Sequence, residues 1–299
     1  RTGGTNTGFT AVSSLNNAVA LSNSNRKSHA GPSGSTGVRQ GDDLAGGRVL
    51  TGTGTLTYYR EGASQNETTR FNTNIWEYIG AVSGANEFIV RERFAVDLNG
   101  GTYTSDELIS ATLTNKDKCV PFITGIMNNS GTGDADSGTA VAYLTSSTNL
   151  RVEKGGTNTP NVRVYITLVE FTGSNWTVLH GDSGTYSADT GTITLHDGSD
   201  GTGTATDVSD WSNSIIFSHH RGDTAIAGTN DAHGDNWPST KPGSNDQSVD
   251  FTHHTAHDSD GTNRNFVHVI SNDEITVTRF SDTTVGNATV DITSAGLTD

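Results

Sequence analysis

Histidine and acidic residues crowd into one part of the chain, where they could bind a metal ion. Six of the ten histidines fall between residues 219 and 257. Imidazole and carboxylate groups together are the ligands of transition-metal sites such as those of zinc. The candidate metal ligands are His253, His254, His257, Asp258 and Asp260. The surrounding sequence does not predict a helix, and on a strand His253 and His254 would point to opposite faces. The alternatives are a polar loop at an assembly surface and a contact whose histidines become charged near about pH 6.

Three Asp-rich segments offer a second kind of ligand, the oxygen atoms that calcium prefers. They are residues 134–136, 197–201 and 258–263. None of them completes the roughly twelve-residue calcium loop that closes with a glutamate. Asp-Gly pairs are also common in hairpin turns. We therefore expect no cofactor, with Ca²⁺ or a transition metal as the alternative.

The sequence contains none of the local motifs that mark common enzyme classes. It has no Gly-x-Ser-x-Gly, no His-Glu-x-x-His, no P-loop and no dinucleotide fingerprint. The only cysteine, Cys119, stands in the apolar run 119–123, which predicts a buried strand residue rather than a nucleophile. The tripeptide at residues 221–223, Arg-Gly-Asp, is one that integrins bind, but it recurs often by chance. We expect no catalytic residues and no enzyme.

The charge of the chain argues against two classes of partner. The formal net charge is −15, from 33 acidic and 18 basic side chains. Such a chain repels phosphate groups, and no cluster of basic residues interrupts the acidic balance. No apolar run approaches the roughly 20 residues that span a bilayer as a helix. We therefore expect neither nucleic acid nor a membrane as a partner.

Short runs of strand-forming residues follow one another through most of the chain. Only 31% of the residues are hydrophobic, and Gly, Thr, Ser, Asn and Asp are abundant. Runs such as 56–59, 75–79, 88–96 and 162–171 are each of strand length and are bounded by turn-forming residues. This pattern predicts an all-β fold of the sandwich or barrel class.

An internal repeat divides the chain further. Residues 150–154 followed by 161–167 recur as 275–279 followed by 287–293, and each copy predicts a β-hairpin. Continuing backwards matches 119–123 with 215–217 and 94–98 with 191–195. The repeat predicts two tandem β-sandwich domains, Ig-like or jelly-roll-like. Their predicted bounds are 48–174 for the first and 175–299 for the second, which carries a His-rich insertion at about 219–262. Residues 1–47, rich in Gly, Ser and Asn, are predicted to form an extended N-terminal arm.

Several short strings resemble a known class of proteins. Residues 75–80 followed by 84–91, together with Val169-Glu170-Phe171 at the end of a predicted strand, resemble β-rich structural proteins of tailed bacteriophage virions. The resemblance implies a non-catalytic component of the virion surface, either a capsid decoration protein or a tail-associated one. It implies as partners other copies of the chain and virion proteins such as the major capsid protein. It identifies no site residues.

Two other functions stay open at this point. The first is a secreted or cell-surface adhesin that binds glycans through Trp176, Trp211 and Trp237, because tryptophan rings stack on sugars. Trp76 and Trp176, however, lie in predicted strands and are more simply explained as core residues. The second is a polysaccharide-degrading, tail-associated enzyme that uses a pair of acidic side chains.

Overall fold

The computed structural model describes residues 2–26, 46–60, 69–99, 101–128, 139–154, 162–188, 190–222, 238–252 and 263–277. Within these residues the chain forms the strands β1 to β17 and three single-turn 3₁₀ helices. The prediction of an all-β fold is confirmed, and the strands form several sheets. Runs of β-branched and aromatic residues between turn-forming residues account for this, since such side chains suit a pleated, half-buried surface.

The later strands form two groups with the same antiparallel pairing, which we call unit 2 and unit 3. Each unit has six strands, which we count here in chain order within the unit. In both units the sixth strand pairs with the first and the third, and the fifth strand pairs with the second and the fourth. Unit 2 comprises β6 (Ile89–Leu98), β7 (Thr104–Leu108), β8 (Cys119–Asn128), β9 (Ala140–Ser146), β10 (Asn149–Lys154) and β11 (Val162–Glu170). Unit 3 comprises β12 (Thr177–Tyr186), β13 (Thr190–Thr194), β14 (Ser214–Arg221), β15 (Ser239–Pro242), β16 (Ser248–Thr252) and β17 (Asn263–Ser271).

The first five strands of the chain form unit 1. They correspond to the second to sixth strands of units 2 and 3. They are β1 (Thr2–Asn6), β2 (Ala18–Arg26), β3 (Gly46–Gly52), β4 (Thr55–Arg60) and β5 (Thr69–Glu77). Strand β4 lies between β1 and β3, and β5 pairs with β2. The other edge of β5 has no partner strand among the residues that the structure describes.

A capped 3₁₀ turn introduces the same strand in all three units. The turns are Leu15–Asn17 before β2, Lys116–Lys118 before β8 and Trp211–Asn213 before β14. Ser14, Asn115 and Asp210 cap them by accepting a hydrogen bond from the backbone N–H two residues later. The residues that follow β5, β11 and β17 then donate to the turns, from Tyr78 N to Asn17 O, from Phe171 N to Lys118 O and from Asn272 N to Asn213 O. These bonds define equivalent positions in the three units.

Each unit encloses its own apolar cluster, to which the strands paired with its fifth strand and those paired with its sixth strand both contribute. A further apolar cluster joins the units. Successive side chains of a strand point to opposite faces. Those that point away from the core of their own unit meet in this shared cluster. It contains Trp76 of unit 1, Phe122 of unit 2 and Phe217 of unit 3. The ring of Phe217 lies 4.9 Å from that of Phe122 and 5.9 Å from that of Trp76, centroid to centroid. Each unit therefore contacts both of the others.

Backbone pairing also crosses between consecutive units. Strand β3 of unit 1 pairs with β8 of unit 2 at Gly46–Ile126 and Gly47–Gly125. Strand β9 of unit 2 pairs with β14 of unit 3 at Ala140–His220. Two six-stranded sheets result, with the orders β1-β4-β3-β8-β11-β6 and β12-β17-β14-β9-β10-β7.

The predicted extended arm over residues 1–47 does not hold for residues 2–26. These residues form β1 and β2, and Val12, Ala18 and Ala20 are buried in the core of unit 1. The apolar side chains are few, but β3 and β4 supply the rest of that core through Leu50 and Leu56. The predicted boundary at 47/48 falls inside β3, whereas the one at 174/175 falls between units 2 and 3. The division into two domains stays a prediction.

The predicted hairpin over residues 150–167 is wrong. Strand β10 pairs with β7 and β9, whereas β11 pairs with β6 and β8. Alternation of apolar residues shows which face of a strand is buried, but it does not identify the neighbouring strand. The second copy of the repeat extends past residue 277 and lies outside the described residues. The match of 119–123 with 215–217 does correspond to equivalent positions, since both segments follow a capped turn.

Candidate functional site: a buried histidine cluster between units 2 and 3

The predicted metal ligands fall in a part of the chain that the structure does not describe. His253, His254, His257, Asp258 and Asp260 all lie there, so a metal site at the His-rich insertion stays a prediction. Among the described residues, no three or more His, Cys, Asp or Glu side chains are arranged to hold a metal ion. Those residues also include no helix with the length and apolar character needed to cross a membrane.

Of the three Asp-rich segments, only residues 197–201 are described. Asp197 Oδ1 accepts a hydrogen bond from Thr204 N at 2.8 Å. Asp200 Oδ1 accepts from Thr202 N at 3.1 Å and from Thr202 Oγ1 at 2.6 Å. Both carboxylates therefore close the turn on itself, as Asp side chains commonly do.

Cys119 and Arg221 are both held inside the fold. Cys119 is fully buried, its Sγ donates to Asn115 O at 3.3 Å, and burial raises the pKa of the thiol. The prediction of a buried strand cysteine is confirmed. Arg221 Nη1 donates to Glu153 Oε2 at 2.6 Å across the junction between units 2 and 3, with 16% of its side chain exposed. Asp223 of the same tripeptide lies outside the described residues.

Three buried histidines lie together on one face of unit 3. His180 on β12 is directly opposite His268 on β17, and His219 stands on β14 at the other side of β17. The Nδ1 atoms of His180 and His268 are 2.9 Å apart. The ring of His268 has its centroid 5.1 Å from each of the other two rings. This histidine cluster faces unit 2, since His180 Nε2 reaches Asp117 O at 3.1 Å and His219 Nε2 reaches Ile123 N at 3.5 Å.

The hydrogen bonds assign the protons of the cluster. A carbonyl oxygen can only accept, so Nε2 of His180 carries a proton and donates it to Asp117 O. In neutral His180, Nδ1 is then the acceptor, and Nδ1–H of His268 donates to it. The backbone N–H of Ile123 donates to Nε2 of His219, so the proton of His219 is on Nδ1. The bond in which His180 Nδ1 accepts requires a neutral His180, and the bond in which His219 Nε2 accepts requires a neutral His219.

Burial keeps these histidines neutral. Desolvation lowers the pKa of His180 from 6.5 to about 4, and it lowers the pKa of His219 from 6.5 to about 4 as well. The pKa of His268 falls well below 6.5 because of burial and because His180 and His219 are close to it. Charging any of them would place a cation in a fully buried site, and for His180 the cost of desolvation exceeds the attraction of Asp117 and Asp200.

An aromatic stack and an ion-pair network continue the same face toward the rim of the junction. The ring of Phe266 stacks on that of Tyr143 in unit 2, at 5.0 Å and 6°. The guanidinium of Arg264 lies 4.8 Å from the centre of the Tyr143 ring. Arg264 donates to Glu153 of unit 2 at 2.9 Å and to Asp182 at 2.6 Å. Glu153, whose side chain is 8% exposed, also accepts from the Tyr143 hydroxyl at 2.7 Å.

The junction between units 1 and 2 uses a related arrangement. Tyr59 of unit 1 stacks on Tyr165 of unit 2, with ring centroids 4.9 Å apart and planes 3° apart. Gly47, on the strand beside Tyr59, leaves room for this stack, because a Cβ atom there would overlap the Tyr165 ring. Aromatic stacking across consecutive units is therefore common to both junctions.

Sequence reasoning found only part of this site. His219 belongs to the dense run of histidines, but His180 and His268 were missed because they lie outside it. The available signal was a histidine at a buried position of an otherwise apolar strand, as in residues 266–270. A buried polar residue in such a run requires a partner inside the fold. The tryptophans Trp76 and Trp176 lie in the shared cluster, as the core interpretation expected, and Trp211 packs against the core of unit 3.

Comparisons with protein-family models, with curated proteins and with solved structures found no match. The neutral cluster can serve as a pH-dependent contact between units, because uptake of protons would break the hydrogen bonds that depend on neutral rings.

Proposed function

We propose that the protein is a non-catalytic structural component of the surface of a tailed bacteriophage virion, either a capsid decoration protein or a tail-associated one. It is built from β-sandwich-like units, it associates with other copies of itself, and it contacts virion proteins such as the major capsid protein. The observation that carries this proposal is the joining of three β units by continuous sheets and a shared core. Such construction favours a stiff block over a hinged molecule with a cleft.

The chemistry of the junction supports a structural role. At the junction of units 2 and 3 the three histidines and Glu153 are buried, and the side chains of Arg221, Arg264 and Asp182 are at most 20% exposed, which leaves few of these groups accessible to a substrate. Hydrogen bonds from His180 to Asp117 O and from Arg264 to Glu153 orient the two units. Catalytic acids and bases need access to the reacting groups. Charges held in networks of this kind fix the geometry of a packed interface instead.

Several sheet edges carry features that limit uncontrolled association. The edge strand β7 contains Asp106 and Glu107, and the edge strand β15 contains Lys241 and Pro242. Charged residues and proline on edge strands disfavour the addition of another strand. A component present in many copies on a particle benefits from this, since its contacts must be confined to specific surfaces.

Immunogold electron microscopy of the native source material tests the proposal. Antibodies raised against the purified 299-residue chain should label particles, at the capsid surface or along the tail. Mass spectrometry of density-purified particles should recover peptides from units 1, 2 and 3 in equal amounts. Label found on cell surfaces and absent from particles would contradict the proposal and favour the adhesin.

A catalytic alternative needs a separate measurement. The purified chain should release no reducing ends from host capsule or cell-wall polysaccharide under conditions in which a known glycosidase does. Release that disappears after heat denaturation of the chain would contradict the non-catalytic role and favour the polysaccharide-degrading enzyme.

A further inference from the structure

Within the part of the chain that the structure describes, unit 1 has an open sheet edge where the other two units have a strand. In unit 2, β11 pairs on one side with β6 and on the other with β8, and in unit 3, β17 pairs with β12 and β14. The equivalent strand of unit 1, β5, pairs with β2 alone among the described residues. An unpaired edge of this kind presents a row of backbone hydrogen-bonding groups to any strand that can reach it.

The interior of unit 1 is incomplete beside that edge. A cavity of about 340 Å³ lies between its sheets, lined by Asn6, Phe9, Arg48, Leu56, Tyr58, Thr73 and Ile75. Thr73 and Ile75 belong to β5, and the hydroxyl of Thr73 is buried without a hydrogen bond. In unit 2, Val96 and Leu98 of the additional strand β6 are buried members of the core. Among the described residues, unit 1 has no counterpart of β6 beside this cavity.

The segments that lead from each unit to the next meet at one point. Asn86 precedes β6, Asn175 precedes β12, and Glu274 follows β17. Asn86 Nδ2 donates to Glu274 Oε2 at 2.5 Å, and Asn175 Nδ2 donates to Glu274 Oε1 at 3.0 Å and to Asn86 Oδ1 at 3.0 Å. Three equivalent crossings thus meet in one polar cluster.

The third crossing leads toward unit 1. The first two deliver β6 from unit 1 to unit 2 and β12 from unit 2 to unit 3. The residues after Glu274 also leave their unit beside its capped turn, since Val277 N donates to Ser212 O of unit 3 at 2.7 Å. Unit 3 touches unit 1 through Phe217 and Trp76. With three units around a shared core, the neighbour that follows unit 3 is unit 1.

We propose that residues 275–283 of the same chain pair with the open edge of β5 and complete unit 1. The segment reads Ile-Thr-Val-Thr-Arg-Phe-Ser-Asp-Thr, a strand-forming sequence. The register follows from unit 3, where Val178 pairs with Ile270 and Gly181 with Val267. By equivalence Val277 pairs with Trp76, and Phe280 pairs with Thr73 at the cavity. The inference rests on the described fold and not on the proposed function.

An engineered disulfide tests the register in the full chain. The proposed pairing sets Asn74, an exposed residue, opposite Arg279. Facing residues of antiparallel strands have Cβ atoms about 4.5–5.5 Å apart, close to the spacing that a disulfide requires. The variant Asn74→Cys/Arg279→Cys should form an intrachain bond in most molecules at low protein concentration. The control Asn74→Cys/Thr283→Cys, four residues out of register, should form at least fivefold less.

The outcomes of the disulfide test separate the possible occupants. An intrachain bond located by peptide mapping supports the proposal. Disulfide-linked dimers would overturn it in favour of strand exchange with a second copy. Equal cross-linking in the two variants, or none in either, would overturn it as well.

Hydrogen exchange gives an independent readout that does not depend on a new bond. In the full chain, Phe280→Asp should raise the exchange rate of backbone amides in residues 69–77 at least tenfold, while those in residues 162–170 change little. Phe280→Leu should keep the original protection, since it retains an apolar side chain. Exchange of 69–77 that is the same in the original chain and in Phe280→Asp would overturn the proposal.

Discussion

The three buried histidines link the protonation of single side chains to the stability of the fold. In the unfolded chain they take up protons near their ordinary pKa of 6.5, whereas folded His180 and His219 do so only near pH 4. Between these values the unfolded chain binds more protons than the folded one. The contribution of these groups to the free energy of unfolding is therefore complete above about pH 6.5 and is lost as the pH falls toward about 4.

We expect His219→Phe to reduce this dependence. The wild-type free energy of unfolding should fall between pH 7 and pH 4.5, by on the order of 3 kcal/mol for each histidine whose pKa is lowered in this way. In His219→Phe one such contribution is absent, so the decrease should be smaller. Urea denaturation at several pH values measures the difference. The control Phe217→Leu changes an uncharged side chain on the same strand and should keep the wild-type slope, and an unchanged slope in His219→Phe would contradict the assignment.

A single glycine controls the fit between units 1 and 2. A methyl group on Gly47 would overlap the ring of Tyr165 and disturb its stack on Tyr59. We expect Gly47→Ala to lower the free energy of unfolding by about 1–3 kcal/mol, as overpacking commonly does. Gly54→Ala is the matched control, because its Cβ would lie 3.6 Å from that of Ala11, an ordinary contact. Thermal denaturation compares the two variants, and equal melting temperatures would show that the stack tolerates the methyl group.

Among the structural elements, the strands that meet at the junction of units 2 and 3 depend on a shared carboxylate. Glu153 on β10 accepts hydrogen bonds from Arg221 on β14, from Arg264 on β17 and from Tyr143 on β9. Removing it would leave two partly buried guanidinium groups without this acceptor. Loss of one partner from a buried ion pair lowers the free energy of unfolding far more than loss of an exposed pair does.

We therefore expect Glu153→Ala to destabilise the fold by about 3 kcal/mol. The control Asp106→Ala removes the ion pair between Arg151 and Asp106, whose side chains are 36% and 45% exposed, respectively. This change should lower the free energy of unfolding by less than about 1 kcal/mol. Equilibrium unfolding in urea, followed by tryptophan fluorescence, gives both values. Similar losses for the two variants would mean that the network at the junction is no stronger than a surface pair.

The strands could be predicted from the sequence, but their neighbours could not. Runs such as 119–126 and 162–171 coincide with β8 and β11 because their apolar residues alternate or are continuous. The pairing of β10 with β7 and β9 depends on long-range packing, which a pattern of alternation does not specify. The capped turns did leave a local signal. Ser14, Asn115 and Asp210 each stand four residues before the first residue of a strand, and each is a residue type that caps turns.

For the molecule as a whole, the sequence predicted two tandem copies, whereas the described strands form three groups with a related pairing pattern. The equivalent strands share few residues, so the repeat shows in hydrogen bonding more clearly than in sequence. The strings Trp76-Glu77-Tyr78 and Val169-Glu170-Phe171 are an exception, since both end the last strand of a unit. Glu77 and Glu170 each accept hydrogen bonds from the backbone beside a capped turn. The histidine cluster could not be predicted, because its members come from three strands that are distant in sequence.

Covalent linkage of the three units has a consequence for the polar cluster where the crossings meet. In an assembly of three identical subunits, symmetry would place the same side chain at this point three times, and three glutamates would repel one another. Within one chain the copies can differ, so Asn86 and Asn175 donate amide hydrogens to the single carboxylate of Glu274. Joining the repeats in one polypeptide thus permits a division of donor and acceptor roles that a symmetric trimer would be denied.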